Sequence, residues 1–322
     1  MKALYSLITV ILLILLLISC KEPDSSSTTK ITYSVTRNYN VLIVPDLSNR
    51  INQTIHPKPL SDTNIINSIL DHIPDLLKLG NRNLNQLDIY KIDFINRGIL
   101  NDEKFHTAEF EINFLRFKNR LKEASDYKRN FLKSDISTLK KETAKIYSYA
   151  SMQSSGSDVW NYFNETIHSS LSFQVDTVKV ARDKGMIYQT KNKVILLTDG
   201  YIETINKTLG YNLNQDLITR VRTEFLKSKS NDLKKFILTN PQFLINKTSN
   251  DLKNTDVLVL EITDRSLDSN GVAKFHPTDL EIIKIIWTDW LTKSGVNHVQ
   301  IHAALSNRQD VYPVIKNFIE SK

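Results

Sequence analysis

The 322-residue sequence predicts an α/β protein with a Rossmann-like open, mainly parallel sheet flanked by helices. Three observations carry this. Strand-like apolar runs alternate with helical patterns from about residue 39 onward, the signature of βαβ units. The strongest runs, Val41–Val44 and Val194–Leu197, are apolar at every position, as central strands buried on both faces require. Three of the runs end directly in acidic residues, and the carboxyl ends of the strands are where open α/β sheets bind ligands.

Taken in order, Val41–Val44 is the first strand, and Pro45 holds Val44 extended without an N–H to leave unpaired. Ser61–Leu79 follows as a helix with a kink at Pro74. Leu87–Phe94 and Ala108–Phe114 alternate and read as the second strand and an edge hairpin partner. Between Arg116 and Lys145, ten basic residues face four acidic ones, which predicts the solvated face of a long helix, with an electrostatic docking surface as the alternative. Asp158–Leu171 is a further helix, and Val194–Leu197 the next strand. More than fifty residues, 201–256, then separate it from the strand Val257–Ile262, where one helix would suffice. This stretch is expected to be a helical insertion, with helices over Asp216–Lys227 and Asn231–Leu238. Thr278 and Glu281 form a capping box ahead of a helix that Gly295 stops, and Trp287 and Trp290 sit at core spacing within it. Val299–Leu305 is the last strand. His298, just before it, and His302, within it, point the same way in a strand and read as core or edge positions, not as a metal pair.

The N-terminus predicts export. An apolar run from Leu7 to Ile18, broken only by Thr9, is too short to span a bilayer of about 30 Å but fits a signal peptide over residues 1–19. Leu17–Cys20 resembles the lipobox of bacterial lipoproteins, which implies lipidation of Cys20 and membrane attachment through it. Lys21 lacks the Asp that, by resemblance to enterobacterial lipoproteins, retains at the inner membrane, so the expected location is the cell envelope at the outer membrane. Residues 20–38 are Ser- and Thr-rich and read as a flexible tether reaching about 25 Å, ahead of a domain over residues 39–322. Cys20 is the only cysteine, so the domain has no internal disulfide and depends on its apolar core. The net charge of +7, one less without Lys2, is mild. The few aromatics among the basic residues match no nucleic-acid motif, and no nucleic-acid partner is expected. Asn52, Asn206 and Asn246 begin glycosylation-type triplets that are chance in this context.

The chemistry concentrates at the strand ends. Asp46-Leu-Ser48-Asn-Arg50 follows the first strand, Thr198-Asp199-Gly200 follows the Val194 strand, and Thr263-Asp264 follows Ile262. Between the first two lies Ser154-Ser-Gly-Ser157, which opens a helix with Ser157 as a suitable N-cap. These segments resemble the von Willebrand factor A domain and its metal-ion-dependent adhesion site, across essentially the whole chain from residue 39 on. In that family an Asp-x-Ser-x-Ser loop, a Ser or Thr before a helix and an Asp-Gly turn gather around Mg²⁺ or a similar divalent cation. The resemblance implies metal binding by Asp46, Ser48, Ser157 and Asp199. A small hard cation takes oxygen ligands of this kind and usually keeps waters, so few direct carboxylates leave a position open for a partner's carboxylate.

Arg50 departs from the pattern, standing where the family has its second Ser. Either it points away and the other four residues hold the ion, or its guanidinium replaces the ion and pairs with Asp46 and Asp199. The expected function is a non-enzymatic, membrane-tethered module that binds an envelope protein or glycan through this site. Two alternatives remain: a metal-dependent hydrolase such as a phosphoesterase, with Asp264 as general base, and a purely structural envelope lipoprotein. The insertion emerges directly after Asp199 and either selects the partner or packs the sheet edge.

Overall fold

The computed structural model describes residues 31–82, 85–95, 105, 110–152, 157–179, 181–203, 212–249 and 251–321. The expected signal peptide, Cys20, the first part of the tether, and Ser154–Gly156 lie outside the described residues. Residues 32–36 and 176–187 form one compact unit, and residues 37–175 and 188–322 a second, much larger one.

In chain order the strands are β1 (Thr32–Pro45), β2 (Ile89–Ile92), β3 (Glu111–Asn113), β4 (Val175–Lys179), β5 (Lys184–Leu197), β6 (Thr255–Ile262) and β7 (His298–Ala303). They form one sheet in the order β3-β2-β1-β5-β6-β7, with β4 pairing on β5. β1 runs parallel to β2, and β5, β6 and β7 run parallel to one another, while β3 is the antiparallel edge partner. The fold is α/β with a mainly parallel, Rossmann-like sheet. Because β1 leads outward to β2 on one side and β5 to β6 and β7 on the other, the strand order reverses between β1 and β5. That reversal opens a crevice at the carboxyl ends of these two strands.

The helices are α1 (Asp62–Asp71), α2 (Ile73–Leu76), α3 (Leu121–Asn130), α4 (Leu132–Met152), α5 (Val159–Asn161), α6 (Gln215–Ser228), α7 (Leu233–Leu238), α8 (Asp279–Lys293) and α9 (Arg308–Glu320). The expected helix breaks at His72 into α1 and α2, and Pro74 sits in the first turn of α2, where its missing N–H costs no helical bond. The basic stretch is two helices, not one long one, because the chain breaks at Phe131. The segment after Asp158 is helical but irregular, with α5 continuing into a wide turn over Tyr162–Thr166 and a tight one over Ile167–Ser170.

Both faces of the sheet are covered, and successive strand residues alternate between two cores. Val41, Ile43, Ile195, Leu197, Leu258 and Leu260 pack with α1, α4 and α9. Leu42, Val44, Val194, Leu196, Val257 and Val259 pack with α5, α6 and α8 on the other face. Trp287 and Trp290 are fully buried there, 5.1 Å apart edge to face, in the core role their spacing predicts. The capping box of α8 forms as expected, and Gly295 follows its end at φ 96°. In the 201–256 stretch, Ile218 and Val221 of α6 and Ile237 of α7 join the same core, so its helices are part of the wall of the domain.

The tether expectation is corrected at its C-terminal end. β1 begins at Thr32 and so takes the last seven residues of the stretch expected to be flexible. Thr32–Thr36 is rich in β-favouring residues, but Tyr33 and Val35 are exposed, so no buried run marks the strand. Within this smaller unit Thr32 N–H donates to Asp183 O (2.9 Å). Gly185 leaves room for the Tyr33 ring, which a Cβ there would meet at 2.4 Å.

Candidate functional site

Asp46 stands at the mouth of the crevice. Pro45 ends β1, and the Asp46 N–H still donates to Leu197 O of β5 (2.9 Å), so the carboxylate is fixed just beyond both strand ends. Its Oδ1 accepts from Ser48 N–H (3.0 Å) and from the Ser157 hydroxyl, and its Oδ2 from Thr198 Oγ1 (2.9 Å). The chain turns over Asn49–Ile51, and this single turn aims Arg50 inward. On the β5 side, Gly200 adopts φ 89°, where a Cβ would come within 2.6 Å of Ile262, and its carbonyl accepts from Trp287 Nε1 (2.9 Å). The Thr-Asp-Gly turn is thereby clamped to the core, and Asp199 projects from it.

Asp46, Ser48, Ser157 and Asp199 line one cavity of about 230 Å³, together with Arg50, His56, Glu203 and Arg265. All four residues singled out by the resemblance are thus brought together. Asp264 is not. Its carboxylate accepts from Ser266 N–H (3.0 Å), the Ser266 hydroxyl and Leu280 N–H (3.3 Å), which places it at the N-terminus of α8, where a negative charge is favourable.

Arg50 does not pair with Asp46 and Asp199 together; its guanidinium turns toward Asp62. Its guanidinium is buried and binds Asp62 at the start of α1 (Nη2 to Oδ2, 2.5 Å) and Leu197 O (2.5 Å). Toward Asp46 there is only an ion pair at 3.5 Å, and Nε has no hydrogen-bond partner. Asp62 also receives Lys58 Nζ (3.2 Å) and Tyr147 OH (3.1 Å). Burial alone would raise the Asp62 pKa, but Arg50 and Lys58 outweigh it and hold the carboxyl below its usual range. Two buried cations therefore balance Asp62 and Asp46, and Asp199 is left outside this balance.

Asp199 instead meets Arg265. Arg265 Nη2 lies 3.1 Å from Asp199 Oδ2, and the guanidinium stacks 3.7 Å over the Tyr201 ring. Even so, burial and the neighbouring Asp46 carboxylate raise the Asp199 pKa above the ordinary range, with Arg50, Arg265 and the Tyr201 N–H opposing. Tyr201 OH in turn lies 2.9 Å from the buried Asp279 carboxylate of α8, which also accepts from Gln215 (3.0 Å) and pairs with Arg222. Helix α6 of the insertion is thus tied to the residue that supports Arg265.

The donor set fits a small hard cation in chemistry: two carboxylates whose charges repel each other and two hydroxyls, one of which, on Ser48, makes no hydrogen bond among the described residues. It is sparse in acids. Among the described residues no group of three or more His, Cys, Asp or Glu is placed to hold a metal ion. Two further residues belong to the site: Asp62, which in sequence is only an acid at a helix start, and Arg265, which directly follows the Thr263-Asp264 pair at the end of β6. No protein-family model matches the chain, and no curated protein matches it. The resemblance to the von Willebrand A site accordingly rests on the residues themselves.

Proposed function

We propose that the chain is a non-enzymatic binding module, attached to the outer membrane through lipidated Cys20, that engages an acidic group of an envelope protein or glycan at the crevice between β1 and β5. Asp46, Ser48, Ser157 and Asp199 would hold a divalent cation such as Mg²⁺, and the cation would supply an open coordination position for the partner's carboxylate. The observation that carries this reading is the convergence of these four residues, from three separate segments, on one cavity at the point where strand order reverses.

The protein's own groups prepare the site. Arg50 and Lys58 offset Asp62 and Asp46, and Asp199 adds a negative charge beyond that balance in a cavity that Glu203 also lines. Thr198 and the Ser48 N–H orient Asp46, and Trp287 with Gly200 fixes the turn that presents Asp199. Arg265 covers that charge until it is needed. Titration calorimetry of the purified full chain with Mg²⁺ and Mn²⁺ tests the reading. Heat of binding that disappears in Asp199→Ala is expected, and no heat with either ion would sink the metal-dependent form.

A further inference from the structure

A cavity of about 540 Å³, which shares no lining residue with the crevice, lies between α1–α2 and the α3–α4 corner. Its apolar lining is Pro74, Leu77, Leu132 and Ile136, of which Leu77, Leu132 and Ile136 are buried. Lys78, Lys128 and Lys133 also line it. This is the region where the sequence concentrates basic residues, and α3 and α4 supply two of these lysines together with the Leu132 and Ile136 lining. The volume falls in the range of small-molecule pockets, about 300–1,000 Å³.

The charges are not balanced. Asp71, the acidic residue in the lining, is already paired with Lys140 and with Arg308 (2.9 Å). Lys78 pairs with Asp75 (3.2 Å), both well exposed. Lys128 Nζ donates to a neutral group, Gln86 Oε1 (3.0 Å), and neither it nor Lys133 has an acidic partner among the described residues. Burial also lowers the Lys128 pKa, so the ammonium lacks the stabilisation an anion would provide. An apolar lining flanked by uncompensated ammonium groups suits one chemical shape: a flexible alkyl chain ending in an anion, the chain against the leucines and isoleucine and the head held by charge-assisted hydrogen bonds.

We propose that this cavity is a binding site for a single-chain anionic amphiphile, a long-chain fatty carboxylate, with Leu77, Leu132 and Ile136 receiving the chain and Lys128 and Lys133 the carboxylate. The site is independent of the divalent-cation reading. A diazirine-bearing myristate analogue, photolysed on the full chain below its micellar concentration, tests it. Saturable labelling that maps to the segments around Leu77 and Leu132 is expected. Unlabelled myristate should compete, while butyrate, which lacks the chain, and tetradecanol, which lacks the charge, should not. Lys128→Gln, at a half-buried position, with Lys133→Gln, at an exposed one, should weaken labelling at least tenfold while the thermal melt stays cooperative, and Asp199→Ala should leave labelling unchanged. Labelling that does not saturate, or that survives the double substitution, overturns the proposal. So does displacement by an acidic peptide at lower concentration than myristate, which would make the cavity a protein-docking site.

Discussion

Replacing Arg265 by alanine removes the guanidinium that lies 3.1 Å from Asp199 and stacks on Tyr201. Arg265 is 42% exposed and Asp199 16%, so the pair is screened, and an exposed ion pair contributes at most about 1 kcal/mol. Stacking on a tyrosine adds about 0.5–1 kcal/mol at such a site. The alanine variant should therefore lose only about 1–2 kcal/mol of stability. The ion-pair share, at most about 1 kcal/mol, reappears with opposite sign in cation binding, because a divalent ion at Asp199 must displace the guanidinium in the wild-type chain and meets no competitor in the variant, while the stack on Tyr201 is kept. A gain of up to about 1 kcal/mol is up to roughly a fivefold tighter Kd. The assay is calorimetric titration with Mn²⁺ at constant ionic strength, alongside urea unfolding to measure the stability loss. An unchanged or weaker Kd in Arg265→Ala would refute the idea that Arg265 occupies the cation's place, whatever the wild-type affinity.

Asp199→Asn should abolish the Mn²⁺ heat yet stabilise the fold near pH 7. The folded-state pKa is raised, so this group favours folding below its unfolded pKa and that contribution is lost as pH rises through the folded value; thermal melts of wild type and variant should converge on acidification. Asp62→Asn acts in the opposite direction. Its pKa is lowered, so its contribution is present above the unfolded carboxyl pKa and is lost as pH falls through the folded one; removing the charge leaves Arg50 and Lys58 buried without it and should cost about 3–5 kcal/mol in urea unfolding at pH 7. Gly200→Ala forces a side chain onto a φ of 89° and against Ile262, costing about 1–3 kcal/mol, and the disturbed bond to Trp287 should shift the tryptophan emission.

The buried strands and the residues that follow them were the legible part. Val41–Val44 and Val194–Leu197 are apolar at every position because both sheet faces are covered, and each runs directly into a site acid, Asp46 or Asp199. β4 and the outer halves of β1 and β5 were not legible, because residues such as Tyr33, Val35, Val175 and Val178 are exposed and give no core pattern. Asp62 reads in sequence only as a good first residue of a helix, and its pairing with Arg50 across twelve residues depends on the turn at Asn49–Ile51. Arg265 stood beside the residue that the sequence singled out, and the register of the loop after β6 decided which of the two faced the cavity: Asp264 caps α8, and Arg265 reaches Asp199.

Arg50 weighs less against cation binding than its charge suggests. A guanidinium at the third position of the loop would oppose a cation if it faced Asp46 and Asp199 together. Its strong bonds, however, run to Asp62 and Leu197 O, and the approach to Asp46 is 3.5 Å from an Nε without a hydrogen bond. Pairing with Asp62 consumes one positive charge, and Lys58 supplies a second against the two carboxylates. What a ligand meets is therefore the Asp199 charge with Arg265 upon it. A cation that enters exchanges one positive partner for another of higher charge, so binding should be weak in high salt and strengthen when an acidic partner pairs with the displaced Arg265. On this reasoning Arg265 serves in both states, holding Asp199 in one and the partner's carboxylate in the other, and its stack on Tyr201 keeps it within reach of each.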